Sequence, residues 1–175
     1  MGELDGWRLC PRCGAELGGD AARLACDACG FIVYASSKPT ASALCVDNGR
    51  VLLGRRARPP FEGLWDIPGG FLNEGEDPLD GLRRELKEET GLEVEPQHFF
   101  GVWTDRYGSD STADATLNLY WTARVVGGQA APADDVSELR WFGRDELPAA
   151  NELAFENVPL VLAAWRDGQT KPGAA

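Results

Sequence analysis

The sequence holds no run approaching the roughly 20 apolar residues a membrane span requires, so no helical span is expected. Its opening, MGELDGWRLC, has no basic leader followed by an apolar stretch, and a cytoplasmic protein is expected. Positive charge is scarce: 17 basic residues face 28 acidic ones, for a net charge of -11. Such a surface repels phosphate backbones and anionic headgroups, which argues against nucleic-acid partners and membrane attachment. An acidic chain can still act on an anionic substrate if divalent cations and local arginines sit where the phosphates go. Histidine is nearly absent. The single one, His98, has no paired acid or nucleophile in view and reads as surface or packing. No internal repeat is visible.

What is present suits one packed domain with a small appendage, since 175 residues bury most of their unfolded surface. Hydrophobic residues at 43% and charged residues at 26% exclude disordered and fibrous classes. Four of the five cysteines form two CxxC pairs, Cys10-Cys13 and Cys26-Cys29, separated by 12 residues and followed by Gly14 and Gly30. That spacing suits a four-cysteine zinc ribbon, with a structural Zn2+ because four sulfur ligands leave no open position. Zinc binding would contribute to folding a segment too short for its own core. The alternative is two redox pairs or buried thiols. Cys45, alone in an apolar strand, reads as a small packed residue.

Residues 1–36 are therefore assigned to the ribbon and 37–175 to the main domain, with the boundary near Ser36 to Pro39. Thr40 to Val46 and Val51 to Arg55 read as strands around an Asn48-Gly49 turn. A Gly- and Pro-rich loop follows from Pro59 to Gly75. Asp77 and Pro78 then start a helix and Thr90-Gly91 ends it, with Leu79, Leu82 and Leu86 on the face that docks and the opposite face left for chemistry. Phe99 to Trp103, Thr116 to Val125 and Glu138 to Phe142 read as strands. Asn157 to Arg166 reads as a second helix, and QTKPGAA as a frayed tail.

The chemistry concentrates in the first helix. Glu85, Glu88 and Glu89 stand at i, i+3 and i+4, about a turn apart on one face. Crowded carboxylates are relieved by a hard divalent cation, and Mg2+ suits best because it keeps waters and accepts substrate phosphates as ligands. Water bound to such an ion beside a diphosphate is poised to attack phosphorus. Gly69 and Gly70, just ahead of the helix, let backbone approach metal and phosphate closely. The competing reading is a solvated acidic face on an amphipathic helix.

From Gly70 the chain matches the pattern G-x5-E-x7-R-E-U-x-E-E-x-G-U, where U is aliphatic, through Gly70, Glu76, Arg84, Glu85, Leu86, Glu88, Glu89, Gly91 and Leu92. Its seven fixed residues would coincide by chance roughly once in a billion registers. In this the chain resembles the Nudix hydrolases. The resemblance implies an α/β fold, an α/β/α sandwich with a mixed sheet, and catalytic Mg2+ or Mn2+. It also implies a metal-ligating carbonyl on Gly69, a structural Glu76–Arg84 ion pair, and Glu85 and Glu89 as ligand-or-base candidates. A further acidic group from a later loop would fall on Asp135, with Glu138 second and a solvated loop as the alternative.

The ribbon, GLWDIPGG before the box and LRWF after it make the resemblance strongest to ribbon-bearing Nudix hydrolases, a group that includes NADH pyrophosphatases and members acting on FAD or ADP-ribose. The NADH pyrophosphatases carry SQPWPFPxS where this chain has FFGVWTDRYGSDST. The expected substrate is thus a small nucleoside diphosphate derivative, ADP-ribose or a similar ADP-sugar first, with NADH, FAD or an NAD-type RNA cap as alternatives. Arg55, Arg56 and Arg106 could neutralise diphosphate oxygens, and Trp103 and Tyr107 could stack a base; each could equally be surface charge or core. A non-catalytic binding module is the reading of a different class, and no box glutamate is missing to support it. Homodimers are frequent in the family it resembles, though no motif here specifies one.

Overall fold

The computed structural model describes residues 3–108 and 113–169. Residues 170–175 of the expected tail, and 109–112 of the segment after Trp103, lie outside the described residues.

The cysteine-bearing segment folds as a small antiparallel sheet of β1 (Gly18–Gly19), β2 (Arg23–Ala25) and β3 (Ile32–Tyr34), in that order. Its two CxxC turns are built alike. The Gly14 N–H donates to the Cys10 carbonyl at 2.8 Å and the Gly30 N–H to the Cys26 carbonyl at 2.9 Å. Both glycines take positive φ, +77° and +72°, which a Cβ would disfavour.

The larger part begins with β4 (Lys38–Asp47) and β5 (Arg50–Arg56), joined through Asn48 and Gly49 at φ 48° and 74°, the backbone a tight hairpin turn demands. Next come β6 (Trp65–Asp66), β7 (Gly69–Phe71), α1 (Pro78–Thr90), β8 (Leu92–Tyr107), β9 (Asp114–Gly128), β10 (Val136–Gly143), a short 3-10 turn and α2 (Asn157–Arg166). The main sheet runs β10-β5-β4-β9-β8, with β6 on β5 and β7 on β4. It is mixed, because β4 and β9 are parallel and the other pairs antiparallel.

Strand alternation distributes the core to both faces. Leu44, Val51 and Leu53 meet Val158, Val161, Leu162 and Trp165 of α2, whereas Ala41, Ala43, Cys45 and Leu52 meet Leu82 and Leu86 of α1. The result is the expected helix–sheet–helix layering, and Cys45 is a fully buried member of the α1-side core. Each fully buried leucine contributes about 1.5–3 kcal/mol over its exposed state. Helix α1 is closed at both ends: the Asp77 carboxylate accepts the Leu79 N–H at 2.9 Å, and Gly91 at φ 70° returns its N–H to the Lys87 carbonyl.

Three expectations are corrected. Strand β8 runs from Leu92 to Tyr107, well beyond Phe99 to Trp103; irregularities around Glu93, Pro96 and Phe99 break its alternation, and as an edge strand it tolerates Pro96. The loop from Pro59 to Gly75 contains β6 and β7, short strands held by pairing to β5 and β4 rather than by any periodicity of their own. Of the three carboxylates only Glu88 occupies the face of α1 opposite the leucines. With about 100° between residues, Glu89 falls about 20° from Leu82, on the side away from Leu86, and it is buried, whereas Leu79 is only half-buried.

Candidate active site

Strand β4 changes partner along its length. Val46 and Asp47 pair with β5, while Thr40 to Ser42 pair with β7. A cavity of about 210 Å³ opens there, and it draws side chains from both faces: Glu85 and Glu89 of α1, and Thr40, Ser42 and Asn118 from the other side.

The glycine pair forms the join. A Cβ on Gly69 would fall 2.4 Å from the Ala41 carbonyl oxygen, and Gly69 has φ 145°. One on Gly70 would fall 2.5 Å from the Glu85 carboxyl carbon. The turn therefore lies against β4 on one side and under α1 on the other, and the Gly69 N–H donates to Glu89 Oε2 at 2.9 Å.

Arg84 holds this loop to the helix. Its Nε and Nη2 each reach a Glu76 carboxylate oxygen at 2.8 Å, Nη2 also donates to the Phe71 carbonyl at 3.2 Å, and Nη1 donates to Glu85 at 2.6 Å and Glu88 at 3.1 Å. The paired hydrogen bonds from Arg84 hold the Glu76 carboxyl down to about 2.

Glu89 is placed differently. Only 8% exposed and without an ion pair among the described residues, it accepts a single N–H from Gly69. Burial pushes its pKa well above the ordinary range against that N–H, and the fields of Asp135, Asp66 and Glu85 add to the rise. Burial likewise raises Glu85, against Arg84. Asp66, on β6, is pushed up to about 6 by burial even though Arg56 and the Ile67 N–H pull the other way.

Around the cavity stand six carboxylates, Asp66, Glu85, Glu89, Asp105, Asp134 and Asp135, against one guanidinium, Arg56. Arg56 is itself held: it donates to the Pro60 carbonyl at 2.7 Å and to Asp66 and Tyr107 Oη at 3.3 Å, with Asp135 at 3.8 Å. The remaining floor is polar and neutral, with Thr40 donating to Asn118 at 2.8 Å and Asn157 to Tyr120 Oη at 3.1 Å.

Of the residues singled out from sequence, the cavity brings together Gly69, Gly70, Glu85, Glu89, Asp135, Arg56 and Tyr107. It does not bring in Glu88, which is exposed and turned to Arg84. Arg55 lies outside as well, paired with Glu138 at 3.3 Å. Trp103 is 7% exposed and stacks on Phe100 in the core, so its ring offers no open face. Arg106 lies in a neighbouring groove. Sequence reasoning passed over Asp66, Asp105, Phe71, Phe155 and Asn157. Asp66 sits within GLWDIPGG and Phe71 directly follows its glycines, and that nearness was the only signal; the others converge through pairing and loop packing that no local pattern encodes.

In the ribbon, the ligand atoms of Cys10, Cys13, Cys26 and Cys29 all lie within 4.8 Å of one another, the only such group among the described residues. The backbone N–H groups of Arg12 and Cys13 outweigh desolvation and bring the Cys10 thiol down to about 7. Four convergent soft donors fit zinc.

The family model described as NUDIX domain matches residues 37–163. The chain belongs to the NUDIX domain family. It is an enzyme of the Nudix hydrolase class, whose members use divalent metal ions. An ADP-ribose pyrophosphatase of Methanocaldococcus jannaschii is 30% identical over 69% of this chain and 70% of its own length. The NAD-capped RNA hydrolase NudC of Pseudomonas aeruginosa is 29% identical over 94% of this chain, which spans 59% of that relative. The mitochondrial NAD(P)H pyrophosphatase NUDT13 of Homo sapiens is 30% identical over 83% of this chain and 41% of its own length. A crystal structure of a NUDIX hydrolase from Nitrosomonas europaea superposes with a TM-score of 0.74 at 27% identity, covering 93% of this Nudix chain and 94% of that one.

Proposed function

We propose that this Nudix enzyme hydrolyses the pyrophosphate bond of a nucleoside diphosphate joined to a second moiety, with ADP-ribose or a similar ADP-sugar as the first substrate to test. The observation that carries this is the charge around the cavity: six carboxylates against one already engaged guanidinium repel a diphosphate unless cations intervene. The donor set is all oxygen and fits a hard divalent ion. Glu85 and Glu89 would hold Mg2+ or Mn2+ with the Gly69 carbonyl and Asp135, and Glu88 would join from the rim once Arg84 releases it. When bound, such an ion neutralises diphosphate oxygens and lowers the pKa of a coordinated water.

The chain's own groups do the rest. Arg84 fixes the glycine turn against α1, so the backbone at Gly69 and the carboxylate of Glu89 keep one separation. Of Glu85 and Glu89, whichever is left free by the ion is the candidate to take a proton from an attacking water. Arg56 stands across the cavity as the fixed positive charge facing the substrate's phosphates. In the ribbon, Cys10, Cys13, Cys26 and Cys29 would hold a structural Zn2+.

NADH, FAD and NAD-capped RNA share this chemistry and form the second reading; the names of two relatives, an NAD-capped RNA hydrolase and an NAD(P)H pyrophosphatase, support the first and last of these. The test is turnover of ADP-ribose, NADH, FAD and nucleotide sugars with Mg2+ and with chelator. Metal-dependent release of a nucleoside monophosphate, AMP from the adenylated substrates, is expected from at least one of them. Absence of turnover on every diphosphate would leave a nucleotide-binding module instead.

A further inference from the structure

Resting on that reading, we infer that Asp66 is a positioning residue: it aims the guanidinium of Arg56 at the substrate's phosphates without touching the substrate itself. Strand pairing brings the two together. Gly54 of β5 faces Asp66 of β6 in the antiparallel register, so Arg56, two residues further along β5, is the diagonal neighbour of Asp66 on the same face. Both side chains are largely buried, 10% exposed for Arg56 and 21% for Asp66, and Asp66 Oδ1 is itself fixed by the Ile67 N–H at 2.8 Å.

The donors of Arg56 can be counted, because a guanidinium carries five N–H groups. Among the described residues, Nε donates to the Pro60 carbonyl at 2.7 Å, Nη1 to Asp66 at 3.3 Å and Nη2 to Tyr107 Oη at 3.3 Å, which leaves one N–H on each terminal nitrogen. Two such groups are the fork that grips a pair of phosphate oxygens. The faces of the guanidinium are held as well, over the rings of Phe155 at 5.2 Å and Tyr107 at 5.8 Å. Burial disfavours the charge, and Asp66 is first among the neighbours whose fields nevertheless carry Arg56 above its ordinary range. Asp135, the other carboxylate near it, lies 3.8 Å away, beyond hydrogen-bond reach, and belongs to the proposed metal ligands. With Asp135 assigned to the ion, Asp66 is the carboxylate left to keep Arg56 in place.

The experiment combines side-chain NMR with kinetics on the full chain, with Mg2+ present and at about pH 8, where Asp66 is ionised. The Nε–H resonance of Arg56, assigned by its disappearance in Arg56→Gln, should exchange with solvent at least about tenfold faster in Asp66→Asn, since the guanidinium loses an anchor. In turnover of ADP-ribose, or of NADH should that be the diphosphate cleaved, Asp66→Asn should raise KM by about tenfold and leave kcat within about threefold. Contacts made equally in ground and transition states act on KM in this way. Arg56→Gln should raise KM by at least as much. Asp66→Asn added to it should cost less than about twofold more, since a residue acting only through Arg56 then has nothing left to aim. An unchanged Arg56 resonance would overturn the inference. So would a full further loss in the Arg56→Gln background, which would make Asp66 a ligand to ion or substrate in its own right. Faster Arg56 exchange in a chain that hydrolyses no diphosphate would keep Asp66 as the anchor of Arg56 and discard the hydrolase reading.

Discussion

The cysteine cluster of the ribbon and the carboxylate cavity, the two candidate metal sites, are built in opposite ways. The ribbon takes four soft ligands from two short turns with the same hydrogen bonds, and its sulfur atoms already lie within 4.8 Å of one another. The cavity gathers its carboxylates from α1, β6, β8 and the loop before β10, and among the described residues they form no such close group. A site that must stay closed is made from local turns. One that must admit water and substrate is made from distant elements that leave space between the ligands.

The sharpest way to break this comparison is Glu89→Gln. Turnover should fall by on the order of a hundredfold or more, because a catalytic ion contributes several kcal/mol to the transition state. The melting temperature should hold or rise, because the amide can still accept the Gly69 N–H while a buried charge is removed. A near-normal rate would take Glu89 out of the site. Gly70→Ala comes next. Its Cβ collides with the Glu85 carboxylate, so kcat should drop by about tenfold or more, as misplaced catalytic groups do. An unchanged Mg2+ dependence would show that the cradle is not needed.

Cys10→Ser should abolish zinc content and expose residues 3–36 to protease while turnover falls less than tenfold, since no ribbon residue lines the cavity. Equal loss of zinc and turnover would join two sites drawn here as separate. The smallest effect concerns pH. Asp66 titrates at about 6 in the folded protein, above its unfolded range, so its stabilising contribution is complete below about pH 4 and is lost as pH rises through 6. Without Mg2+, the melting temperature of the native protein relative to Asp66→Asn should therefore decline between about pH 4 and 7. A flat difference would mean that Arg56 neutralises Asp66 fully.

The sequence made local features readable and left convergent ones hidden. Helix α2 and the ends of α1 were marked by periodicity, Asp77, Pro78 and Gly91, and the hairpin by Asn48-Gly49. The cysteine turns were explicit because their ligands are separated by two residues. By contrast, Phe71, Asp105 and Phe155 reach the cavity through strand pairing and loop packing across long stretches of chain. Of the two readings open for Trp103, the structure takes the core: two positions from Asp105 along β8, it packs beside Phe100 and Tyr120.

Glu89 stands beside Leu82 on the buried side of α1, next to an otherwise greasy seam. A leucine at that position should make a tighter and more heat-resistant fold and, on the proposed role of Glu89, an inert one. Selection for thermal robustness alone would thus erode activity first at this residue, and a divalent ion should act as a partner in folding as much as in turnover.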